Sequence, residues 1–546
     1  MDAECQPSPE EAKLAAAIDR VLSSSSRKKL IVAGPGTGKT SLFRRLLESA
    51  DQEPDRRLVL TFINSLKEDL ERALAGLAQI HTLHSFCLGL LHRDPVLRHR
   101  LPPDFQCLPG LAHLIAEDWR IINECENPQF VNEMRKLGEG DAIPFYLARG
   151  DYYGAVDFDD TVYRVLSGYS SGAAEPHEYE LVLIDEYQDF NPLEAALIDS
   201  LAARSPILIA GDDDQALYSQ LRSSTWDHIR QLPRDGEFEV FELPYCLRCP
   251  EVVVNAVNDV VGRAKTLKRL DGRIEKPYKY FPPVKEADSR RYPEISLVET
   301  TVQRANANYM GRYIAAAIAE IPEEEILQAQ EGGYPAALVI AAEPYRGQIL
   351  SWLEGIGLAV DSRQVTPARL ERELGLAILK SDNSSSLGWR VVLNADNPPF
   401  LRDSLRRTAD NVTPLVKFLP KDYCDKVLAE AEGCKPHEES DRKPEGDSAS
   451  EPAPLIRISS FEGAKGLSAQ HVFVAGLHNQ ELPRDPSAIQ DLEVCKFVVA
   501  LTRTRKHCSL VYTRNFAGNW KTPSEFIRWI DASRLAQVKV NAQSWR

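Results

Sequence analysis

Along the first half of the chain, short apolar runs alternate with polar or glycine-rich turns and then with helical periodicity. The runs fall at 30–33 (LIVA), 58–62 (LVLTF), 181–184 (LVLI) and 207–210 (ILIA). A continuous apolar run of this length, bounded by turn residues, is the pattern of a strand covered on both faces. Strand, turn and helix in repetition predict a parallel α/β sheet with chemistry at the C-terminal ends of its strands. The same pattern returns after about residue 241, with runs at 337–341 (ALVIA), 455–459 (LIRIS), 472–476 (VFVAG) and 509–512 (SLVY). Two stretches break the alternation. Residues 88–159 read as helices carrying aromatics, and 366–454 read as helices followed by an acidic linker. The fold expected is α/β, with two parallel-sheet lobes that each carry an inserted, mainly helical subdomain. The division is 1–87 and 160–240 for the first lobe with 88–159 inserted, then 241–365 and 455–546 for the second with 366–454 inserted.

Composition changes this picture little. The chain has 546 residues, 43% of them hydrophobic, enough for several domains. No run approaches membrane-spanning length, and the N-terminus MDAECQPSPEEAK has no apolar signal core. A soluble, cytoplasmic protein with no membrane partner is expected. The ten cysteines follow no framework spacing, and Cys246 and Cys249, the one close pair, are expected to be structural. A net charge of −15 argues against a coat of nucleic acid but not against a local groove. Part of the acidity lies in 430–453, a Glu-, Ser- and Pro-rich segment that reads as a linker.

The chemistry starts at LIVAGPGTGKTS, residues 30–41. A strand runs into small residues, Ala33, Gly34, Pro35, Gly36, Thr37 and Gly38, and then Lys39, Thr40 and Ser41. Small residues let backbone N–H groups close around phosphates, the lysine neutralises them, and the threonine hydroxyl ligates Mg²⁺. In LVLIDEYQDF, residues 181–190, a second strand ends in Asp185 and Glu186. Carboxylates at a strand end need compensation. Asp185 is placed to hold Mg²⁺, and Glu186 to orient and deprotonate a water. Asn191, Pro192 and Glu194 read as a helix cap and explain part of the polarity.

Eight segments in order now resemble the motifs of superfamily 1A helicases of the UvrD/Rep/PcrA type. They are VAGPGTGKT (32–40), TFINSLKEDL (61–70), HTLHSF (81–86), IDEYQDF (184–190), GDDDQALY (211–218), LPYCLRCPEVV (243–253), SSFEGAKGLS (459–468) and VALTRTR (499–505). The resemblance covers most of the chain. It implies two RecA-like P-loop lobes with ATP and Mg²⁺ between them and single-stranded or tailed DNA across their top. It implies a γ-phosphate sensor in Gln215, phosphate-facing arginines in Arg248 and Arg503, a nucleotide contact at Gly466, and coupling of the two sites through Gln188. Arginine suits such a task because it is always charged and bidentate. DNA contacts are implied for Thr61, Phe62, Asn64, Thr82, His84, Ser85 and Tyr218. Phe62 also reads as core packing after a strand.

The chain departs from the family at defined places. Ser41 and Leu247 stand where an arginine and a tyrosine usually flank adenine, and no N-terminal glutamine is placed to read the base. Glu462 replaces a histidine, Ser468 a glutamate, and Ser219-Gln220-Leu221-Arg222 replaces an aromatic followed by arginine. Trp226 is a candidate substitute platform. The expected activity is an ATP-dependent translocase or helicase of 3′→5′ polarity. The alternative is a nucleotide-gated regulatory subunit without unwinding, partnered by a nuclease or a phage-defence assembly.

Overall fold

A computed structural model describes residues 7–49, 53–62, 64–126, 128–138, 140, 142–218, 224, 226–304, 307–362, 370–434 and 455–545. The acidic linker and the 219–222 run fall almost wholly, or wholly, outside the described residues.

The apolar runs become the inner strands of two parallel sheets. In the first lobe these are β1 (Lys28–Val32), β2 (Arg57–Thr61), β3 (Gln79–Thr82), β4 (Leu181–Ile184), β5 (Ile207–Gly211) and β6 (Glu239–Glu242), in the order β3-β2-β4-β5-β1-β6. All pairings are parallel. The second lobe holds β7 (Ile295–Thr300), β8 (Ala337–Ala341), β9 (Val360–Asp361), β10 (Ile456–Ser459), β11 (Ala469–Ala475), β12 (Thr504–Thr513) and β13 (Leu535–Val540). Their order is β9-β10-β8-β11-β12-β7-β13, again all parallel. Helices cover both faces, as parallel sheets require. One face of the first sheet buries Leu42, Phe43, Leu70 and Leu74. The other buries Phe86, Leu91, Leu193 and Ile198. The strands that the sequence pattern missed are mostly edge strands, where polar residues interrupt the apolar run.

Helices between Leu83 and Ser170 grow out of the first lobe, and helices between Arg372 and Gly433 out of the second. These two helical bodies share a core. Ile121 of the first packs in the cluster of Leu376, Trp389, Leu393 and Leu405 of the second, while Ile378, Leu387 and Val391 join the core of the first. At their centre lies Asp118, fully buried and gripped from two sides. Arg149 Nε donates to its Oδ2 at 2.7 Å, and Arg390 Nε donates to its Oδ1 at 2.7 Å. The Tyr153 hydroxyl donates to it at 2.5 Å. Burial pushes the Asp118 carboxyl up, but the two guanidinium groups outweigh it and hold the group below its ordinary range. Arg149 reaches on to the Thr408 carbonyl and hydroxyl and to Asn411 Oδ1, each at 2.9 Å.

Candidate nucleotide and nucleic-acid site

After β1 the chain turns through Gly34–Gly38 and enters the helix Lys39–Glu48. Gly36 (φ 71°) and Gly38 (φ 90°) lie in the left-handed region, where a side chain is strained. Their hydrogens also leave room for neighbours from beyond β6. A Cβ on Gly36 would stand 2.6 Å from Arg248 Cβ, and one on Gly38 would stand 3.2 Å from Leu247 Cδ1. The Leu247 amide donates to the Gly36 carbonyl at 2.8 Å. Lys39 Nζ lies 3.5 Å from the Ala33 carbonyl and 3.8 Å from Glu186 Oε1. Thr40 opens the same helix, beside exposed Ser41. The Thr37 hydroxyl donates to the Gly34 carbonyl at 2.9 Å, closing the loop on itself.

Asp185 follows β4 directly, and its amide donates to the Leu60 carbonyl at 2.9 Å. Its Oδ1 is buried and has no hydrogen-bond partner among the described residues. Burial, and then the neighbouring Glu186 charge, push this carboxyl up to about 7. Such an orphaned oxygen, close enough to Lys39 to feel its charge, fits a divalent cation that would restore its own charge. Glu186 differs. Burial pushes it up too, but Lys39, Lys465 and the Gln188 amide outweigh this and bring it down to about 2. Its backbone is left-handed (φ 55°), an uncommon conformation for a residue with a side chain. The helix that follows, Pro192–Ala202, carries the expected reciprocal cap between Asn191 and Glu194.

Gln188 joins two motifs. Its Nε2 donates to Glu186 Oε2 at 2.6 Å, and its Oε1 accepts from the Asp212 amide at 2.9 Å. Gln215 donates to Asp212 Oδ2 at 2.8 Å and accepts from Arg503 Nη2 at 2.9 Å. Arg503 belongs to the second lobe, so this bond crosses between lobes. Its guanidinium is buried, and burial together with nearby Arg248 brings it down to about 10. Arg248 donates from Nη1 to the Thr502 carbonyl at 3.3 Å. Gly466 (φ 82°) lies against Leu66 of the first lobe, where a Cβ would stand 2.7 Å from Leu66 Cδ2.

Sequence reasoning missed several residues here. Lys465, inside SSFEGAKGLS, enters the first lobe's acid cluster from the second. It pairs with Asp189, lies 3.4 Å from Glu186 Oε2, and donates to the Gln215 carbonyl at 2.6 Å. Its only signal was a lysine beside a glycine in a recognised motif. The Tyr278 ring lies against Gly34 and its hydroxyl donates to Cys246 Sγ at 3.3 Å, with no local sequence signal. Lys276 and Arg273, in the same loop as Tyr278, neutralise the three acids of the third motif in the first lobe. Lys276 Nζ lies 2.8–2.9 Å from oxygens of Asp212, Asp213 and Asp214. That ammonium stands where a metal ion would have to bind the three carboxylates, so the cluster is an ion-pair knot. Cys246 and Cys249 are both buried, with no metal-like partner set among the described residues, and the Cys249 amide donates to Cys246 Sγ at 3.4 Å.

A cavity of about 1230 Å³ adjoins this site, between the strand ends of the first lobe and the 457–493 surface of the second. Phe62, Asn64, Thr82, His84 and Tyr218 line it; Thr61 and Ser85 do not. Thr61 is buried at the end of β2, and Ser85 is engaged with Thr82 in capping the helix Leu83–Arg93. Phe62 fits both of its readings. It is 3% exposed and packs edge-on to Phe190 at 5.7 Å, yet it faces the cavity beside Tyr218 at 5.0 Å. Trp226 lies instead against Arg230, 5.2 Å from the guanidinium, and does not line the cavity.

The cavity is charge-balanced rather than basic. Several of its cations have acidic neighbours: Arg135 pairs with Asp159, Arg346 with Glu343, and Lys496 lies 2.6 Å from Glu462. Glu462 therefore turns to a lysine where the family carries histidine. Ser468 accepts from Arg505 Nε at 3.0 Å, and that guanidinium lies 3.8 Å over the Tyr334 ring.

Asp185 supplies a pH test of this geometry. Folded, it keeps its proton up to about pH 7; unfolded, it loses it near pH 4. Protonation thus favours the folded state at low pH, and that contribution is lost as pH rises through 7. Asp185→Asn is expected to raise the stability of the nucleotide-free protein by about 2–4 kcal/mol at about pH 8 and by much less at about pH 5. Denaturant midpoints at the two pH values measure this, and a gain independent of pH would contradict it.

Comparison with known proteins bears on the same residues. An AAA domain family model matches residues 16–220, the segment that carries the P-loop and the acid pair. A probable DNA helicase II homolog of Mycoplasma pneumoniae is 22% identical over 629 aligned residues, covering 94% of this chain and 86% of its own length. DNA helicase II of Haemophilus influenzae is 24% identical across 43% of this chain, and the ATP-dependent DNA helicase PcrA of Staphylococcus aureus is 24% identical across 42%. The chain spans only 38% and 37% of the length of these last two. Eight motifs in order, two parallel α/β lobes and these alignments make the chain similar to proteins of the UvrD/Rep/PcrA group.

Proposed function

We propose that the protein is an ATP-dependent translocase on single-stranded DNA, moving 3′→5′ and unwinding tailed duplex. The observation that carries this reading is the site divided between lobes: Arg503 on Gln215, and Lys465 among Asp189, Glu186 and Gln215. A site completed by groups from both lobes hydrolyses only when they meet, so chemistry is tied to lobe movement. The strand cavity lies against the same contact, with Lys465 and Tyr218 on its wall.

In this reading the backbone of Ala33–Gly38 and Lys39 hold the phosphates. Thr40 and Asp185 would hold Mg²⁺, which when bound would supply charge neutralisation to the phosphates. Glu186, kept ionised by two lysines, orients the attacking water and accepts its proton. Arg248 and Arg503 stabilise charge that develops on the transferred group, a role worth on the order of 10³–10⁵ in rate in related phosphoryl transfer. Gln188 relays the state of the phosphate site to the third motif and so to Tyr218. Phe62 and Tyr218 stack on bases, at about 1–3 kcal/mol each. The domain division is the one read from the sequence, and the protein acts in the cytoplasm. No helix among the described residues is long and apolar enough to cross a membrane.

A second reading is favoured by the charge-balanced cavity and by the small, docked second insertion. Here the protein is a nucleotide-gated subunit, partnered for example by a nuclease, that hydrolyses ATP without separating strands. Strand displacement on tailed duplexes decides between the two, since vigorous hydrolysis with no displacement favours the second.

ATP hydrolysis measured with single-stranded DNA, duplex DNA and RNA tests the primary reading. Single-stranded DNA is expected to stimulate most, and Lys39→Ala to abolish the activity. No hydrolysis with any nucleic acid would sink it. Glu462→Gln is expected to tighten single-strand binding several-fold, because it frees Lys496 for a phosphate. It should also steepen the salt dependence by about 0.7 in the slope of log K against log salt. Unchanged affinity and slope would place that lysine off the strand's path.

A further inference from the structure

We propose that Cys246 and Cys249 form a reversible dithiol–disulfide pair, a modification site through which a peroxide arrests hydrolysis between the lobes. The inference rests on the hydrolytic reading above and adds its regulation.

The two cysteines stand in the run CLRC, both free and fully buried. Cys246 ends the short strand Tyr245–Cys246, and Cys249 stands just before Pro250, which opens the helix Glu251–Thr266. Leu247 and Arg248 alone join them. Donors converge on the Cys246 sulfur: the Cys249 amide at 3.4 Å, the Tyr278 hydroxyl at 3.3 Å and, in hydrogen-bond contact, the Cys249 thiol. A sulfur ringed by donors favours its anion, and the thiolate is the form that attacks. Burial pushes the Cys246 thiol up, but these bonds outweigh it and hold the group below the ordinary thiol range. Burial and the bond to Cys246 push Cys249 up instead. One sulfur is therefore the nucleophile, and the other, already in contact with it, is the resolving thiol. In a reducing compartment a transient bond of this kind acts as a sensor.

The pair abuts the hydrolytic site in both lobes. A Cβ on Gly36 of the P-loop would stand 3.3 Å from Cys246 Sγ. The Cys249 thiol donates to the Thr502 carbonyl at 3.6 Å, the same oxygen that accepts from Arg248 Nη1. The Thr502 hydroxyl accepts from Arg503 Nη2 at 3.1 Å. Drawing Cys249 onto Cys246 takes its thiol off Thr502 and tightens the loop that carries Arg248, so both phosphate-facing arginines shift. With Gly36 on one side and Thr502 on the other, the sulfurs are shielded while the lobes are packed together and are reached when they part. The chemistry balances. The Cys246 thiolate takes one oxygen of the peroxide as a sulfenic acid, and the other leaves as hydroxide, which gains a proton. Cys249 gives up its proton and attacks that sulfur, and the second oxygen leaves as water. Two thiols and one hydrogen peroxide thus become one disulfide and two waters, and a dithiol reverses the bond by exchange.

The full chain without nucleotide is treated with hydrogen peroxide, quenched in acid, alkylated in denaturant and mapped by mass spectrometry, with ATP turnover measured in parallel. The peptide that holds Cys246 and Cys249 is expected to lose two hydrogens and escape alkylation. Turnover is expected to fall about tenfold or more, a small share of what phosphate-facing arginines supply, and a dithiol to restore it. Cys246→Ser is expected to keep after peroxide the turnover it had before. Cys249→Ser lacks the resolving thiol and is expected to hold Cys246 as a sulfenic acid that dimedone labels, which serves should Cys246→Ser fail to fold. No label there, or both thiols still alkylated when exposed Cys125 is oxidised, overturns the pair. A bond that forms without loss of turnover, or a loss that Cys246→Ser shares, overturns the regulation. A protein with no turnover before treatment sinks the hydrolytic reading and the regulation with it, while the peptide map still decides the pair.

Discussion

The ammonium of Lys465, inserted from the second lobe into an acid cluster of the first, is the contact on which the site depends. Asp189 and Glu186 sit in a low-dielectric interior where like charges repel strongly. Burial still pushes Asp189 up to about 6 with the lysine beside it. The same lysine helps to hold Glu186 at about 2, against about 7 for adjacent Asp185. Two neighbouring carboxyls pushed in opposite directions are suited to different tasks, one to receive a cation and one to stay ionised as a base. Lobe separation would withdraw the lysine and leave buried acids uncompensated. The electrostatics of hydrolysis and the geometry of the lobes are in this way one problem.

The parts legible in the sequence were those set by local chain geometry. Glycines at 36 and 38, lysine at 39 and acids directly after an apolar run carry their chemistry within a few residues, so the P-loop, Asp185, Glu186 and the Asn191 cap could be read directly. Buried runs such as 181–184 and 207–210 were equally plain, because every position in them is apolar. Edge strands such as Glu239–Glu242 and Leu535–Val540 were not, since their exposed polar positions break the run. Contacts between distant segments left no local trace. Arg390 meets Asp118 across 272 positions, and Lys465 meets Asp189 across 276. Tyr278, Lys276 and Arg273 lie in a loop of unremarkable composition. Their importance comes from what the fold places opposite them: a glycine of the P-loop and the acids of the third motif.

The departures from the family acquire physical meaning in the structure. Glu462 is held by Lys496, and Ser468 is taken up by Arg505, so each change has a partner. The cavity proposed for the strand is partly neutralised from within, since Arg135, Arg346 and Lys496 already hold carboxylates. A phosphate backbone must displace those carboxylates, which lowers affinity per contact and ties binding to exchange of partners rather than to a preformed basic surface. This agrees with a chain whose net charge is −15.

The central claim is that the two lobes assemble one hydrolytic site through Lys465. A double-mutant cycle on ATP turnover, with Lys465→Met, Asp189→Asn and the pair, tests it most directly. Each single variant is expected to lose activity, and the double variant to lose less than the sum, with a coupling of at least about 1 kcal/mol. Losses that simply add would mean that the lysine and the acid act independently, and would contradict the account.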